Sequence, residues 1–283
     1  MMDTGAFCQR LVREQDPDRY FSALFAPLPH RIALFALYAF NAEIARVRDS
    51  ISEPLPGEIR LAWWREVIEG ERREEAGAHP VASALLEAIT RYRLPVNAFV
   101  RMIEARIFDL YDDPMPSVDE LEGYAGDTSS ALMRLASIVL ADGGEPGGAE
   151  AAGHAGVAYA VTGLLRALPF HAHRGQVFVP VSILARNGAR RDDILAGRAS
   201  PAVYAVLRDM RAMARRHLES ARAAAGQIAP RAQAAFLPAA LCELYLRRME
   251  RQGYHPFRTP VEVPQWRRQW ALWAAARRGR PLG

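Results

Sequence analysis

The sequence predicts an all-α fold. Apolar residues recur at helical spacing along nearly the whole chain, alternating runs of polar and β-branched residues are scarce, and proline and glycine clusters punctuate the periodic stretches. Val177-Phe178-Val179 is the only strand-like piece. From the N-terminus, the first helical stretch runs to Pro27 and Pro29. The second carries the apolar run Ile32 to Phe40 and closes at Pro54 to Gly57, and Pro80 and Pro95 mark the next stops. Pro114 with Pro116, then Gly143 to Gly148, Pro180, Gly197, Pro230 and the segment Pro256 to Pro264 follow, and a basic, tryptophan-rich helix occupies 264–279. Reading between these stops gives about ten helices.

With 283 residues, half of them apolar, the chain can bury a substantial core, and a single domain over 1–283 is expected. Gly143 to Gly148 is the only candidate linker; helical patterning resumes at once, so it reads as a loop within that domain. The longest unbroken apolar run, Ile32 to Phe40, falls far short of the roughly 20 residues that span a bilayer. No hydrophobic stretch follows a basic N-terminus, so neither a transmembrane helix nor a signal peptide is expected. Cys8 and Cys242 sit near opposite ends and in no metal spacing, which suits a reduced, cytoplasmic setting. The net charge is +4 with no lysine, so every basic side chain other than histidine is a guanidinium. Neither a nucleotide-binding glycine loop nor a nucleic-acid partner is expected.

Six segments, in order, carry a resemblance. They are LYAFNAEIARVRD (Leu37 to Asp49), RLAWWREVIEG (Arg60 to Gly70), HPVASAL (His79 to Leu85), YAGDTSSAL (Tyr124 to Leu132), GVAYAVTGLLRALPFHAHRGQVFVP (Gly156 to Pro180) and the closing ERQGYHPF. None is diagnostic singly, but together, from about Tyr20 to Phe257, they resemble the squalene/phytoene synthase family. The resemblance implies an isoprenoid-synthase helical fold around a central cavity. Active members join two prenyl diphosphates head to head, with two aspartate-rich helical motifs holding magnesium against the diphosphates. The demand is physical: a diphosphate leaves only when its charge is neutralised, and Mg²⁺ requires hard oxygen ligands in near-octahedral geometry.

The chain departs from that pattern at both motifs. Where active relatives read roughly DDxxD or DxxxD, Ala45 to Asp49 keeps only Asp49, and its two arginines against one aspartate make the stretch +1. Where they read like RDxxxD, Ala167 and His171 replace both carboxylates after Arg166. Pro169 removes an amide donor and its ring opposes the carbonyl of Leu165, so positions 167 and 171 need not share a face. The stretch Leu165 to Pro180, with Asn41 to Glu53, looks closest to the branch that includes the mitochondrial complex I assembly factor and its bacterial relatives. That likeness implies a non-catalytic assembly or binding protein, with a respiratory complex I subunit or assembly intermediate as partner, peripheral on the inner membrane. No cofactor is expected, with Mg only under the alternative of an active prenyltransferase. A third reading is a carrier of a prenyl or lipid chain in the inherited cavity.

Asp49, a weak metal candidate, reads more simply as an ion-pair partner of Arg46 or Arg48. Arg46, Arg166, His171 and Arg174 are candidates to bind an anion without metal, against the simpler reading that they satisfy the chain's own polar groups. His171 and His173 with His154 lack a zinc spacing. Asp109, Asp112 and Asp113 mimic an aspartate-rich box but read as solvated acids at a helix end before Pro114. Trp266, Trp270 and Trp273 form one stripe at i, i+4, i+7. Packing of that stripe on the core is the favoured reading. Its rival makes Trp266, Trp270, Trp273, Arg267 and Arg277 contacts to a membrane surface.

Overall fold

Sixteen α-helices make up the computed structural model, which describes residues 3–51 and 53–283. They are α1 (Thr4–Gln15), α2 (Pro17–Ala23), α3 (Leu28–Ala45), α4 (Pro54–Glu69), α5 (Arg73–Ala78), α6 (Pro80–Tyr92), α7 (Val96–Ile107) and α8 (Val118–Ala125). Then come α9 (Ala131–Leu140), α10 (Ala149–Arg166), α11 (Leu168–His173), α12 (Val181–Arg186), α13 (Arg191–Leu195), α14 (Pro201–Ala223), α15 (Cys242–Arg248) and α16 (Gln265–Arg277). The count exceeds the expected ten because stops subtler than proline clusters also divide the chain. Asp16, for example, ends α1 and caps α2 by accepting from the Arg19 amide at 3.1 Å. Val177 to Val179 is buried coil, and no strand occurs among the described residues.

Helix α3 forms the axis of the core. Every residue from Ala33 to Ala42 is buried, as expected of a helix that is apolar all round, and α1, α6 and α9 pack on it. Behind it Phe40 meets Trp64 and Phe99 edge-on at 5.2 and 5.6 Å between ring centroids. The longest helix, α14, lies along α10. Where α10 passes the wide π-turn Gly126–Ser130, the Ser130 hydroxyl donates to the Gly153 carbonyl at 2.7 Å, and a Cβ on Gly156 would overlap the Ser130 backbone. The loop at Gly143 to Gly148 is pinned: Gly147 adopts φ 66° with its Cα against the Gln227 carbonyl, and the Ala229 amide donates to Pro146.

The last helix corrects the favoured reading of its tryptophans. Leu272 and Ala275 of α16 are 0% and 5% exposed and Arg268 points inward, whereas Trp266, Trp270 and Trp273 are 64%, 64% and 43% exposed. Residues 268, 272 and 275 share one face, and the tryptophan stripe lies roughly half a turn away from it. Alanine and leucine, with a single arginine, make the close contact. Among the described residues no helix is long and apolar enough to cross a membrane.

Candidate functional site

Asp49 lies in the 3₁₀ turn Val47–Ser50, directly after α3. Both of its carboxylate oxygens are engaged: Arg174 pairs with Oδ1, and Arg46 Nε stands 3.4 Å from Oδ2. The expected ion pair is present with Arg46, but Arg48 turns instead to Asp112 at 3.7 Å. Arg174 also lies over the Phe170 ring at 4.1 Å, and Arg191 donates to the carbonyls of Asp112 and Gly175, tying the turn after α11 to the 109–113 segment. A cleft of about 300 Å³ opens beside Arg46 and Asp49, between α1, α3 and Arg60 of α4.

His171 faces inward from α11 with Phe178 4.8 Å away between ring centroids. Burial pushes its pKa down to about 4, and Arg174 and Arg106 act in the same direction, against Asp49. Position 171 therefore holds a neutral imidazole. Pro169 is accommodated differently from the expectation. Helix α10 ends at Arg166, Ala167 is the junction, and Pro169 sits in the first turn of α11, where its missing amide costs little. The His171 amide still donates to the Ala167 carbonyl at 2.9 Å, so 167 and 171 stand one turn apart on the same side. Next to His171, an apolar void lined by Leu164, Leu168, Phe178 and Met210 measures about 10 Å³, room for one water.

Asp109 corrects another expectation: it is buried, not solvated. Arg106 donates to it at 3.0 Å and the Tyr124 hydroxyl at 2.8 Å, while Gln176 Nε2 donates to its backbone carbonyl at 2.6 Å. Burial pushes the Asp109 carboxyl up against the pull of Arg106. Asp112 and Asp113 remain exposed at the helix end.

Arg166 does not join Arg46 and Arg174. It belongs to a second cluster centred on Asp18, a 4% exposed aspartate that pattern reading passes over because nothing near it in sequence marks it. Arg268 reaches Asp18 Oδ1 at 2.7 Å, and the Tyr245 hydroxyl and Arg166 reach Oδ2 at 2.6 and 3.3 Å. The Arg166 guanidinium also lies 3.7 Å from the Tyr245 ring centroid. These partners are 148 to 250 residues from Asp18 in sequence, a separation that spacing arguments do not reach. Beside the cluster a cleft of about 660 Å³ is lined by Arg166, Arg248, Arg267 and Arg268 with Trp266 and the single acid Glu262. Next to Asp18, Arg19 is stacked over Tyr159 at 4.6 Å and bonded to Asp16 at 2.6 Å.

The donor set does not fit magnesium. Asp49 and Asp109 are each engaged by guanidinium or phenol groups, positions 45 and 167 are alanines, and 171 offers a nitrogen. Among the described residues no three His, Cys, Asp or Glu side chains converge as a metal site, and His154 faces His217, with their Nδ1 atoms 3.0 Å apart, instead of the HAH triplet. Two separate clusters of guanidinium groups, each paired with the chain's own carboxylates, are what the geometry provides.

Residues 12–274 match the squalene/phytoene synthase family. The chain belongs to that family. A relative from Rattus norvegicus, NADH dehydrogenase (ubiquinone) complex I, assembly factor 6, is 33% identical over 261 residues, covering 92% of this chain and 78% of the relative. A phytoene synthase from Thermus thermophilus is 25% identical over 264 residues, covering 92% and 88%. Among solved structures, a dehydrosqualene synthase in complex with ligand superposes with a TM-score of 0.82 at 17% identity, covering 97% of this chain and 96% of that one. The isoprenoid-synthase helical fold implied by the six segments is therefore the fold of this family member.

Proposed function

We propose that this chain is a non-catalytic member of its family that binds a protein partner during the building of respiratory complex I, working peripherally at the inner face of the membrane. Two things support the reading. One is its likeness to proteins named as complex I assembly factors, at 31 to 33% identity in the rat, human and bovine relatives. The other, which carries most weight, is Asp49: the single acid kept from the first motif has both oxygens held by Arg174 and Arg46, and the second motif has no acid at all. With no paired carboxylates to hold magnesium, a diphosphate has no means of departing with its charge neutralised. In this reading Arg46, Arg166 and Arg174 serve the chain's own aspartates, and no metal cofactor takes part.

The test has two arms. Purified protein incubated with farnesyl or geranylgeranyl diphosphate and Mg²⁺ should yield no coupled hydrocarbon by mass spectrometry. Turnover that Asp49→Asn abolishes would overturn the reading in favour of a prenyltransferase. Deleting the gene should lower the assembled NADH dehydrogenase on native gels while isoprenoid products stay unchanged; normal assembly would count against the role.

A further inference from the structure

We propose that the outward face of α16 is a docking surface for an anionic lipid bilayer, with Trp266, Trp270 and Trp273 entering the headgroup region and the surrounding arginines meeting lipid phosphates. This deepens the location proposed above by naming the surface and the lipid chemistry.

Geometry makes the first argument. A helix that docks through Leu272 and Ala275 would ordinarily turn polar residues to water, yet α16 turns out three indoles, two of them 64% exposed. Trp270 and Trp273 stack at 4.9 Å, and Trp266 lies one turn earlier on the same face. Arg277 lies on the same face with its guanidinium 5.4 Å from the Trp273 ring, and Arg267 stands 5.1 Å from Trp266. Indoles beside guanidinium groups are the pairing suited to a membrane interface, where the ring finds the acyl boundary and the cation finds phosphate.

Charge makes the second argument and selects the occupant. Between Val263 and Gly283 there is no aspartate or glutamate, while Arg267, Arg277, Arg278 and Arg280 are exposed. None of these four makes an ion pair with another side chain among the described residues, so their charge faces outward unanswered. The body of the protein adds further arginines at both ends of the helix. Arg248 lines the cleft of about 660 Å³ with Trp266, where Glu262 is the one acid against Arg166, Arg248, Arg267 and Arg268, and Arg231 shares one of about 230 Å³ with Ala276, Phe25 and Pro27. A second copy of this chain would bring like charge against like charge across a two-fold contact, which disfavours self-association through this face. An anionic bilayer answers both features at once.

The experiment is flotation of the full chain with vesicles of phosphatidylcholine alone and of phosphatidylcholine mixed with phosphatidylglycerol. Indole depth is read in parallel on the unaltered protein by quenching with brominated lipid. The expected result is binding to the mixed vesicles, quenching by bromines near the headgroups, and release by salt. The variant W266A/W270A/W273A removes only exposed side chains and should keep its thermal midpoint while losing roughly tenfold or more in binding. Replacing Arg267, Arg277 and Arg278 by Gln should cost roughly fivefold per arginine on the mixed vesicles. Absence of binding, or binding and quenching unaffected by the tryptophan changes, would overturn the proposal. So would a dimer in sedimentation that the tryptophan variant dissolves. A chain that fails to bind vesicles yet supports NADH dehydrogenase assembly would sink this surface alone, and the reverse outcome would sink only the assembly role.

Discussion

His171 makes the position of the second motif testable through stability. A buried imidazole against Phe178, facing the charges of Arg174 and Arg106, holds its proton with a pKa near 4 where the unfolded chain has the ordinary 6.5. Above about pH 6.5 both states are neutral and the residue contributes no pH dependence. As the pH falls below that value the unfolded chain takes up a proton that the folded chain refuses, so stability drops through the window from about 6.5 to about 4 and levels off below it. Each tenfold difference in proton affinity is worth 1.36 kcal/mol, so the full loss is about 3 kcal/mol, with most of it present by about pH 4.5. The assay is the urea midpoint of the unaltered chain and of His171→Gln across that range. Other titrating groups act equally in both proteins, so the informative quantity is their difference, which should shrink or reverse as the pH falls. A constant difference, or an imidazole carbon of His171 titrating near 6.5 by NMR, would refute the buried neutral histidine.

Three further outcomes follow from particular contacts. Arg268→Gln should free α16, because it removes one of the two guanidinium partners of buried Asp18; a loss of about 3 kcal/mol in denaturant and earlier tryptic cleavage at Arg267 check it. Gly156→Ala should cost about 2 to 3 kcal/mol, since its Cβ meets the Ser130 backbone of the π-turn and a backbone cannot step aside as a side chain can, and an unchanged thermal midpoint would show that α10 does not press on that turn. Cys8 and Cys242, whose thiols burial pushes up to about 12, should resist alkylation at pH 8 until denaturant is added, and labelling of the folded chain by intact mass would contradict their burial.

Much of the fold is legible because its signals are local. The apolar spacing of Ile32 to Phe40 and the proline stops follow from side-chain periodicity and from backbone donors that proline lacks, and both act within a few residues. The absence of carboxylates at Ala45, Ala167 and His171 is equally plain, since the residue at a given position is read directly. What the sequence conceals is which charges meet. Arg174 lies 125 residues from Asp49 and Arg268 lies 250 from Asp18, so a helix-by-helix reading pairs Asp49 with its neighbours and leaves Arg268 in a basic tail. The tryptophan stripe fails for a related reason. Periodicity reports that three indoles share a face, but which face meets the core depends on the room between α2 and the 3₁₀ stretch Pro230–Leu241, where small side chains fit closely and indoles do not.

The same charge bookkeeping bears on the proposal that no metal is held here. Arginine cannot shed its proton, so each guanidinium drawn toward the interior needs an anion beside it. In a prenyl-joining relative a diphosphate could supply that anion; here the chain supplies its own. Asp18 answers Arg166 and Arg268, Asp49 answers Arg46 and Arg174, Asp109 answers Arg106, and Asp112 answers Arg48. An incoming diphosphate would have to displace carboxylates already in place, and magnesium would have to displace guanidinium groups from the same oxygens. Either exchange gives up ion pairs that the chain already makes, so an incoming group gains only the difference between the old and the new contacts. Restoring aspartates at 45, 167 and 171 alone should therefore not restore a magnesium site, because Arg46 and Arg174 would remain to claim the new carboxylates.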